Sequence, residues 1–441
     1  GDLMPYEAVE AVLVKAWGHE VGAVALDPRS GYYAFEYTPS WQRDGVDLAP
    51  LTMPLRGRPT GSRAGAVHVF PTLPEATYHR LPAMLADSLP DAFGNAIVNA
   101  ALAAQGVARE RITPLDRLAY LGSRGVGALE FHPARGPRTR RPTSIQLGEL
   151  VTAARAVVRG QFVDDRETEA ALANLIAVGT SAGGARAKAV IAWNPTTGEI
   201  RSGQLAAPEG FEHWLLKLDG VGADAELGTG SGYGRIEYAY HLMARAAGLT
   251  VSDSRLLEEN GRAHFMTRRF DRAGGERVHV QTLCAMAHLD FNQRATHDYA
   301  QYLQTIDRLA LGPEDRAEGF RRMAFNLWAA NRDDHTKNLS FLCTRDGQWS
   351  LAPGYDITHA HNPDPTRWTA QHQMAVGGHF TAITVDDVAE LADRMMVPAW
   401  REVVAEVQAA VGRWPEFAAA AGLDAPTTAT VHHDIVTLAP R

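Results

Sequence analysis

An α+β fold is predicted from the way the hydrophobic period changes along the chain. Short apolar or alternating runs, typical of strands, cluster between residues 189 and 281, and helical spacing dominates after Gln281. With 441 residues, the chain is too long for one ordinary core. We therefore predict two lobes, an antiparallel sheet domain at 143–275 and a helical domain with one strand hairpin at 276–441, preceded by a smaller unit at 1–142.

The first unit is predicted to contain a small sheet followed by helices. The segment Val21–Tyr37 mixes β-forming residues with turn signals, and Val67–Leu73 repeats that style. Helical spacing runs from Leu81 to Leu102 with a break around Pro90, and a further helix is expected over Pro114–Leu121. The basic segment 135–142 is interrupted by Gly and Pro, which favours a solvated linker.

The sheet domain is predicted to begin with helices at Leu147–Arg159 and Glu167–Val178. A helix from Ile236 to Ala247, ended by Gly248, is expected between two of its strands. The simplest arrangement of the strand-like runs is one antiparallel sheet made from Ala189–Trp193, Trp214–Leu218, His264–Thr267 and Val278–Gln281.

The last domain is predicted to be mainly helical. Its one hairpin signal pairs Leu339–Leu342 with Trp349–Leu351 through Asp346-Gly347, a dipeptide that favours tight turns. Helical sequence resumes from Val385 to Phe417, and the tail after Ala425 is expected to be loosely held.

Composition excludes several classes of protein. A net charge of -8 and a pI near 6.1 disfavour broad nucleic-acid binding, which needs a cationic face. No apolar run approaches the roughly 20 residues that span a bilayer, so no membrane contact is expected. Cys284 and Cys343 are too few for a disulfide framework and have no zinc-site spacing. Because no signal-peptide pattern follows Gly1, a cytoplasmic location is expected.

The strongest chemical signal is the polar octet 331–338, which lies between a predicted helix and the hairpin. In this octet Asp333 precedes Asn338 by five residues. Phosphoryl transfer uses such a pair, because a carboxylate orients or deprotonates the attacking hydroxyl while an amide oxygen holds Mg²⁺ against the nucleotide phosphates. The alternative is that Asp333, Asp334 and Asn338 only form turns and caps.

A second candidate ligand for Mg²⁺ follows the hairpin. Asp356 lies eighteen residues after Asn338, and a hairpin between them would return it to the octet. Mg²⁺ takes few protein ligands and completes its octahedron with phosphate oxygens and water. Asn338 and Asp356 are therefore the predicted metal ligands, and this spacing favours the functional interpretation over turn formation.

The octet fits the pattern D-x-H-x-x-N, and with Tyr355-Asp356 it resembles the HipA family of serine/threonine kinases. The N-terminal segments Asp87–Asp91 and Leu121–Leu129 are also similar to that family, so the resemblance covers nearly the whole chain. It implies a two-lobed, protein-kinase-like fold that is similar to lipid kinases. It also implies that ATP and Mg²⁺ are the cofactors.

The resemblance gives the Gly-rich stretch before the first strand of the sheet a role. As a lone motif this stretch is weak, since Gly-rich turns are common. It is similar to the family's phosphate-binding loop S-x-x-G-A-x-x-K, which implies that Ser181 is autophosphorylated and that the loop then leaves the nucleotide site. The residues expected to line the nucleotide are Gly179, Ser181, Ala182, Gly183, Gly184 and Lys188.

Further nucleotide contacts are expected from the sheet. Lys217 ends a predicted strand where kinases place a phosphate-binding lysine, and Glu237 on the inserted helix is its predicted partner, with Glu258 or Asp219 as alternatives. The segment from Arg268 to Phe270 is similar to the family's adenine-binding connection. Arg268 is otherwise an exposed side chain, and Phe270 is equally suited to the core.

His335, inside the octet, matches a family histidine that approaches the nucleotide phosphates, with a solvent-facing loop histidine as the alternative. The predicted catalytic residues are thus Asp333, Lys217 and His335. The spacing of His359 and His361 suits a metal pair, but a transition metal would need a third ligand that the sequence does not supply.

The family resemblance implies a toxin kinase that phosphorylates a translation component, such as an aminoacyl-tRNA synthetase, and is restrained by a DNA-binding, HipB-like antitoxin. Direct DNA contact is not expected, because the sequence has no defensible helix-turn-helix. Two other functions stay open. A small-molecule or lipid kinase would use the same nucleotide site, and a non-catalytic ATP-binding interaction module would not need all of these residues together.

Overall fold

The computed structural model describes residues 5–55, 67–137, 144–159, 175, 186–203, 206–221, 223–224, 228–229 and 232–441. The chain divides into two compact units. The first unit comprises 1–222, 268–281 and 343–348, and the second comprises 223–267, 282–342 and 349–441.

The strands are, in chain order, β1 Ala11–Ala16, β2 His19–Leu26, β3 Tyr33–Tyr37, β4 Leu129–His132, β5 Lys188–Trp193, β6 Ile200–Ser202, β7 Glu212–Lys217, β8 Ala223–Asp224, β9 Gly228–Thr229, β10 Ser254–Glu259, β11 Arg262–Arg268, β12 Arg272–Ala273, β13 Glu276–Arg277, β14 His279–Thr282, β15 His297–Asp298, β16 Ser340–Cys343, β17 Trp349–Leu351 and β18 Met374–Ala375.

The α-helices are α1 Pro39–Asp44, α2 Glu75–Tyr78, α3 Ala83–Ala86, α4 Ala92–Ala103, α5 Pro114–Leu121, α6 Leu147–Arg159, α7 Tyr233–Ala246, α8 Leu283–Met286, α9 Tyr299–Arg308, α10 Pro313–Trp328, α11 Val385–Arg394, α12 Trp400–Val411, α13 Trp414–Ala420 and α14 Ala425–Leu438. Short 3-10 helices lie at Arg109–Arg111, Thr336–Asn338 and Trp368–Ala370.

An antiparallel sheet of order β3-β2-β1-β4 begins the first unit. Along β1 the residues alternate between buried and more exposed positions, which is typical of a sheet with one face on the core. The sequence prediction contained β2 and β3 but neither β1 nor β4. The predicted strand at Val67–Leu73 is wrong, since His68 makes only one isolated bridge to Phe35.

A second sheet in the first unit contains β7, β5 and β6 in that order, joined by antiparallel pairs. Every residue of β5 is buried, which explains why it appears in the sequence as a continuous apolar run. The predicted single sheet was too inclusive, because β14, the predicted strand at Val278–Gln281, lies outside this set of strands. The predicted helix at Glu167–Val178 lies outside the described residues, apart from Leu175.

A buried cluster of charged residues connects the N-terminal segment Leu121–Leu129 to the segment 268–281. Asp271 accepts two hydrogen bonds from the Arg269 guanidinium, at 2.9 and 2.8 Å, and one from Arg272 at 3.0 Å. It also accepts the backbone N–H of Gly127 at 2.9 Å. Burial by itself would raise the pKa of Asp271, but the two arginines hold that pKa well below its usual range.

Replacing Asp271 with Asn should destabilise the first unit by about 3 kcal/mol, because the buried guanidinium of Arg269 would lose its charged partner. Urea denaturation is the measurement. Asp364→Asn, a change in an exposed turn, is the control and should stay within about 0.5 kcal/mol of the wild type. If Asp271→Asn lost no more unfolding free energy than the control, the cluster around Asp271 would not stabilise the first unit as proposed.

The second unit is mainly helical. Helix α10 packs against both α9 and α12, and α7 packs against α12 and α13. The hairpin β16–β17 follows the polar octet, as predicted. The tail is not loosely held: α14 buries Val431 and Ile435, and Trp414 Nε1 donates to Thr428 O at 3.0 Å. No helix in the described part of the chain is both long and apolar enough to span a bilayer.

Candidate active site

The polar octet is held in the second unit between the end of α10 and the beginning of β16. Ala330 adopts a positive φ of 55°, which ends the helix and turns the chain. Arg332 N then donates to Ala360 O at 2.9 Å, and Ala360 N donates to Ala330 O at 3.1 Å. This short parallel bridge brings the segment that follows Asp356 alongside the residues that precede Asp333.

Asp333 and Asn338 lie together at the two ends of this loop. The side-chain amide nitrogen of Asn338 donates to the backbone carbonyl of Asp333 at 2.7 Å. Because the nitrogen is used in this way, the amide oxygen is the end of Asn338 that a cation can bind. The Asp333 side chain is 44% exposed, so a substrate hydroxyl can reach its carboxylate.

Asp356 reaches the same place through the hairpin. The preceding Tyr355 donates from its hydroxyl to Lys337 O at 2.6 Å and lies 2.5 Å from Ser340 Oγ. Asp356 itself has a positive φ of 52°, a conformation that non-glycine residues rarely adopt and that is frequent at functional sites. Asn338 and Asp356 both line one small cavity of about 20 Å³.

The donor set of this cavity suits Mg²⁺. A carboxylate and an amide oxygen are hard ligands, and Mg²⁺ normally takes one or two such protein groups and completes its shell with phosphate oxygens and water. Among the described residues no three His, Cys, Asp or Glu side chains are arranged to hold a metal ion. His359 instead contacts Asp434, with Nε2 at 2.8 Å from Oδ2.

His335 is positioned as a neutral hydrogen-bond donor. Burial lowers its pKa to about 4, although Asp356 opposes that shift. Its Nδ1 accepts the backbone N–H of Lys337 at 3.2 Å, so the proton of the neutral ring is on Nε2. Nε2 lies 3.8 Å from Asp333 Oδ1. The histidine therefore presents an N–H on the same side of the loop as the candidate catalytic carboxylate.

Asp334 is a buried acceptor for three donors. Its Oδ2 accepts the Tyr299 hydroxyl at 2.5 Å and contacts His372 Nδ1 at 2.9 Å, while its Oδ1 accepts the backbone N–H of Gln373 at 2.8 Å. The nearby carboxylate raises the pKa of Tyr299 further above the level set by burial. In the sequence Asp334 is a candidate only for a turn or a cap, and its partners at 299, 372 and 373 carry no signal.

The sheet of the first unit brings the two predicted lysines together. Lys188 on β5 and Lys217 on β7 are register partners, and both are buried. Lys188 Nζ lies 3.7 Å from Asp91 Oδ2, an N-terminal carboxylate that also caps α4. The remaining residues of the predicted phosphate-binding loop, Gly179, Ser181, Ala182, Gly183 and Gly184, lie outside the described residues.

The predicted partner of Lys217 belongs to the other unit. Glu237 is buried on α7 in the second unit, so its pairing with Lys217 stays a prediction. Of the alternatives, Asp219 is buried in the first unit, and Glu258 forms an exposed ion pair with Arg235 at 3.0 Å.

The two residues predicted to lie beside adenine are in the first unit. Arg268 is exposed and its guanidinium pairs with Glu212 at 2.6 Å. Phe270 is half-buried. Their contact with a nucleotide stays a prediction.

Two domain families match most of the chain. Residues 12–132 match the HipA N-terminal domain, and residues 180–414, more than half of the chain, match the HipA-like C-terminal domain. No curated protein sequence matches the chain.

Two solved structures resemble the chain to different degrees. The first is HipA of Shewanella oneidensis MR-1 in a toxin–antitoxin complex with HipB and operator DNA. The alignment covers 96% of this chain and 95% of that HipA chain, with a TM-score of 0.64 and 18% sequence identity. The second is the Helicobacter pylori proinflammatory kinase CtkA. The alignment covers 51% of this chain and 91% of the CtkA chain, with a TM-score of 0.31 and 11% sequence identity. The first likeness confirms the predicted fold class. The domain matches show that this chain belongs to the HipA family.

Proposed function

We propose that this protein is an ATP- and Mg²⁺-dependent serine/threonine protein kinase of the HipA toxin type. Two observations support the proposal: the side-chain amide of Asn338 donates to the backbone carbonyl of Asp333, and Asn338 and Asp356 line one cavity. A carboxylate beside two magnesium-binding oxygens is the arrangement that phosphoryl transfer requires.

In the proposed reaction the hydroxyl oxygen of a serine or threonine attacks the γ-phosphorus of ATP. A new O–P bond forms, the bond between the γ-phosphorus and the β–γ bridging oxygen breaks, and ADP leaves. The hydroxyl proton passes to the carboxylate of Asp333. Bound Mg²⁺ supplies positive charge to the phosphates, and Asn338 and Asp356 would hold it.

Several predicted residues are proposed to bind the nucleotide. Lys188 and Lys217 place two ammonium groups on neighbouring strands, where they would attract phosphate oxygens. The loop 179–188 would cover the phosphates, and the segment from Arg268 to Phe270 would meet adenine. Glu237 would orient Lys217, and the Nε2–H of His335 would donate to a phosphate oxygen.

Family membership supports a regulated toxin. From the family resemblance we propose that Ser181 is an internal phosphoacceptor. Its phosphorylation would displace the loop from the nucleotide site, because a phosphoserine dianion cannot share a pocket with the ATP phosphates. The complex of HipA with HipB and operator DNA supports a HipB-like antitoxin as the partner of this chain. The proposed target class is a translation component such as an aminoacyl-tRNA synthetase.

Intact-mass analysis after incubation with ATP and Mg²⁺ tests this function. The wild-type chain should gain at least one phosphate, and Ser181→Ala should lose the main phosphopeptide. The neighbouring hydroxyl variant, Thr180→Ala, is the matched control and should keep it. A main phosphopeptide that survives in Ser181→Ala would contradict the assignment of this serine.

Labelled ATP with candidate protein substrates separates the alternatives. A small-molecule or lipid kinase would leave every protein band unlabelled while still consuming ATP when given its acceptor. A non-catalytic module would bind ATP without transferring phosphate to any acceptor. Transfer to a protein hydroxyl that depends on Asp333 would exclude both.

A further inference from the structure

An indole ring contacts the candidate catalytic carboxylate. Trp368 Nε1 donates to Asp333 Oδ1 at 3.1 Å, although the two residues are 35 positions apart in sequence. Trp368 begins the 3-10 helix Trp368–Ala370 and is half-buried. An N–H donated to a carboxylate oxygen restricts rotation of the carboxylate, and hydrogen bonds to charged acceptors are the stronger kind.

The turn that carries Trp368 is built on the neighbours of Asp333. The side-chain amide of Gln373 donates to Trp368 O at 2.7 Å and to Arg332 O at 3.0 Å. The backbone N–H of Gln373 is held by Asp334 at 2.8 Å, and the Arg332 guanidinium donates to Ala370 O. The residues on either side of Asp333 thus fix the turn, and the turn returns an N–H to Asp333.

The residues that make these hydrogen bonds around Asp333 are largely buried. Exposed fractions are 5% for Arg332, 3% for Asp334 and 5% for Gln373. Hydrogen bonds in such surroundings are shielded from competing water and fix geometry more firmly than surface bonds do. In contrast, the Asp333 side chain is 44% exposed. Its carboxylate is therefore accessible to a substrate, while the buried hydrogen bonds of the neighbouring residues restrict its orientation.

We propose that Trp368 is a positioning residue for phosphoryl transfer, holding the Asp333 carboxylate in the orientation that accepts the proton of the attacking hydroxyl. This inference rests on the proposed kinase function. The indole is not proposed to contact the nucleotide. Loss of its N–H should therefore lower kcat and leave the affinity for ATP unchanged. The motifs that carry the family resemblance do not contain Trp368.

Trp368→Phe tests the proposal, because it keeps an aromatic ring in the turn and removes the N–H. The expected result is a fall of about tenfold in kcat, with the KM for ATP within about twofold of wild type. Trp400→Phe is the matched control: its Nε1 also donates to an aspartate, Asp393 Oδ1, at 3.1 Å, but on helices α11 and α12 away from the octet. The control should keep the wild-type kcat.

The outcomes separate this inference from the function on which it rests. Absence of Asp333-dependent transfer in the wild type would overturn the function and the inference together. Asp333-dependent transfer with equal kcat in Trp368→Phe and Trp400→Phe would overturn the inference alone. A Trp368→Phe protein with a lowered unfolding midpoint and weakened binding of ATP·Mg²⁺ would also overturn it, because the indole would then have a structural role.

Discussion

Replacing Asp333 with Asn is expected to lower kcat for phosphate transfer by a factor of about 10² to 10⁴, the contribution of a positioned general base. The amide nearly conserves the size and shape of the side chain, and the bond from Asn338 to the backbone carbonyl of residue 333 does not involve it. Folding and ATP binding should therefore survive. Steady-state kinetics with labelled ATP and a protein acceptor measure the loss.

Asp364→Asn is the control for this experiment. Asp364 lies in an exposed turn of the same unit, where it accepts hydrogen bonds from Thr366. This variant should transfer phosphate at the wild-type rate. If Asp333→Asn turned over ATP as fast as Asp364→Asn, Asp333 could not be the base, and the carboxylate would have to be assigned to the structure of the loop.

The local parts of the site could be predicted from sequence because local chemistry determines them. The octet lies between a helix and a hairpin whose turn, Asp346-Gly347, is typical of tight strand connections, and the structure has β16 and β17 there. Asp356 then follows at a fixed distance along the chain. Pro114–Leu121 and Leu147–Arg159 were likewise predicted with the bounds of α5 and α6, because Pro at a first turn and helical spacing are local signals.

The rest depends on contacts between distant segments. Strand β4 pairs with β1 across more than 100 residues, and no local pattern specifies such a partner. Tyr299 contacts the octet from one other segment, and Trp368 and His372 contact it from a second, and each has an ordinary residue type for a helix or loop. The single predicted sheet failed for a similar reason, because a short apolar run does not reveal which sheet it joins.

Replacing Asp334 with Ala is expected to reduce both stability and activity. The change leaves the Tyr299 hydroxyl, the His372 ring and the Gln373 backbone N–H buried without their acceptor, and each such group costs about 1–3 kcal/mol. A total loss of about 3–5 kcal/mol is expected in urea denaturation of the second unit. Because Gln373 also holds the turn that carries Trp368, kcat should fall further than the folded fraction alone predicts.

A surface cluster of the same chemistry provides the control. Asp387 contacts His379 Nδ1 at 2.9 Å and accepts the backbone N–H of Thr384 at 2.9 Å, but His379 is exposed. Water can replace these bonds, so Asp387→Ala should lose only about 1 kcal/mol, the usual value of a helix cap, with kcat unchanged. Equal losses in the two variants would mean that Asp334 is an ordinary cap. A larger loss in Asp334→Ala, with kcat falling in the protein that remains folded, would establish that the buried carboxylate holds the catalytic loop in place.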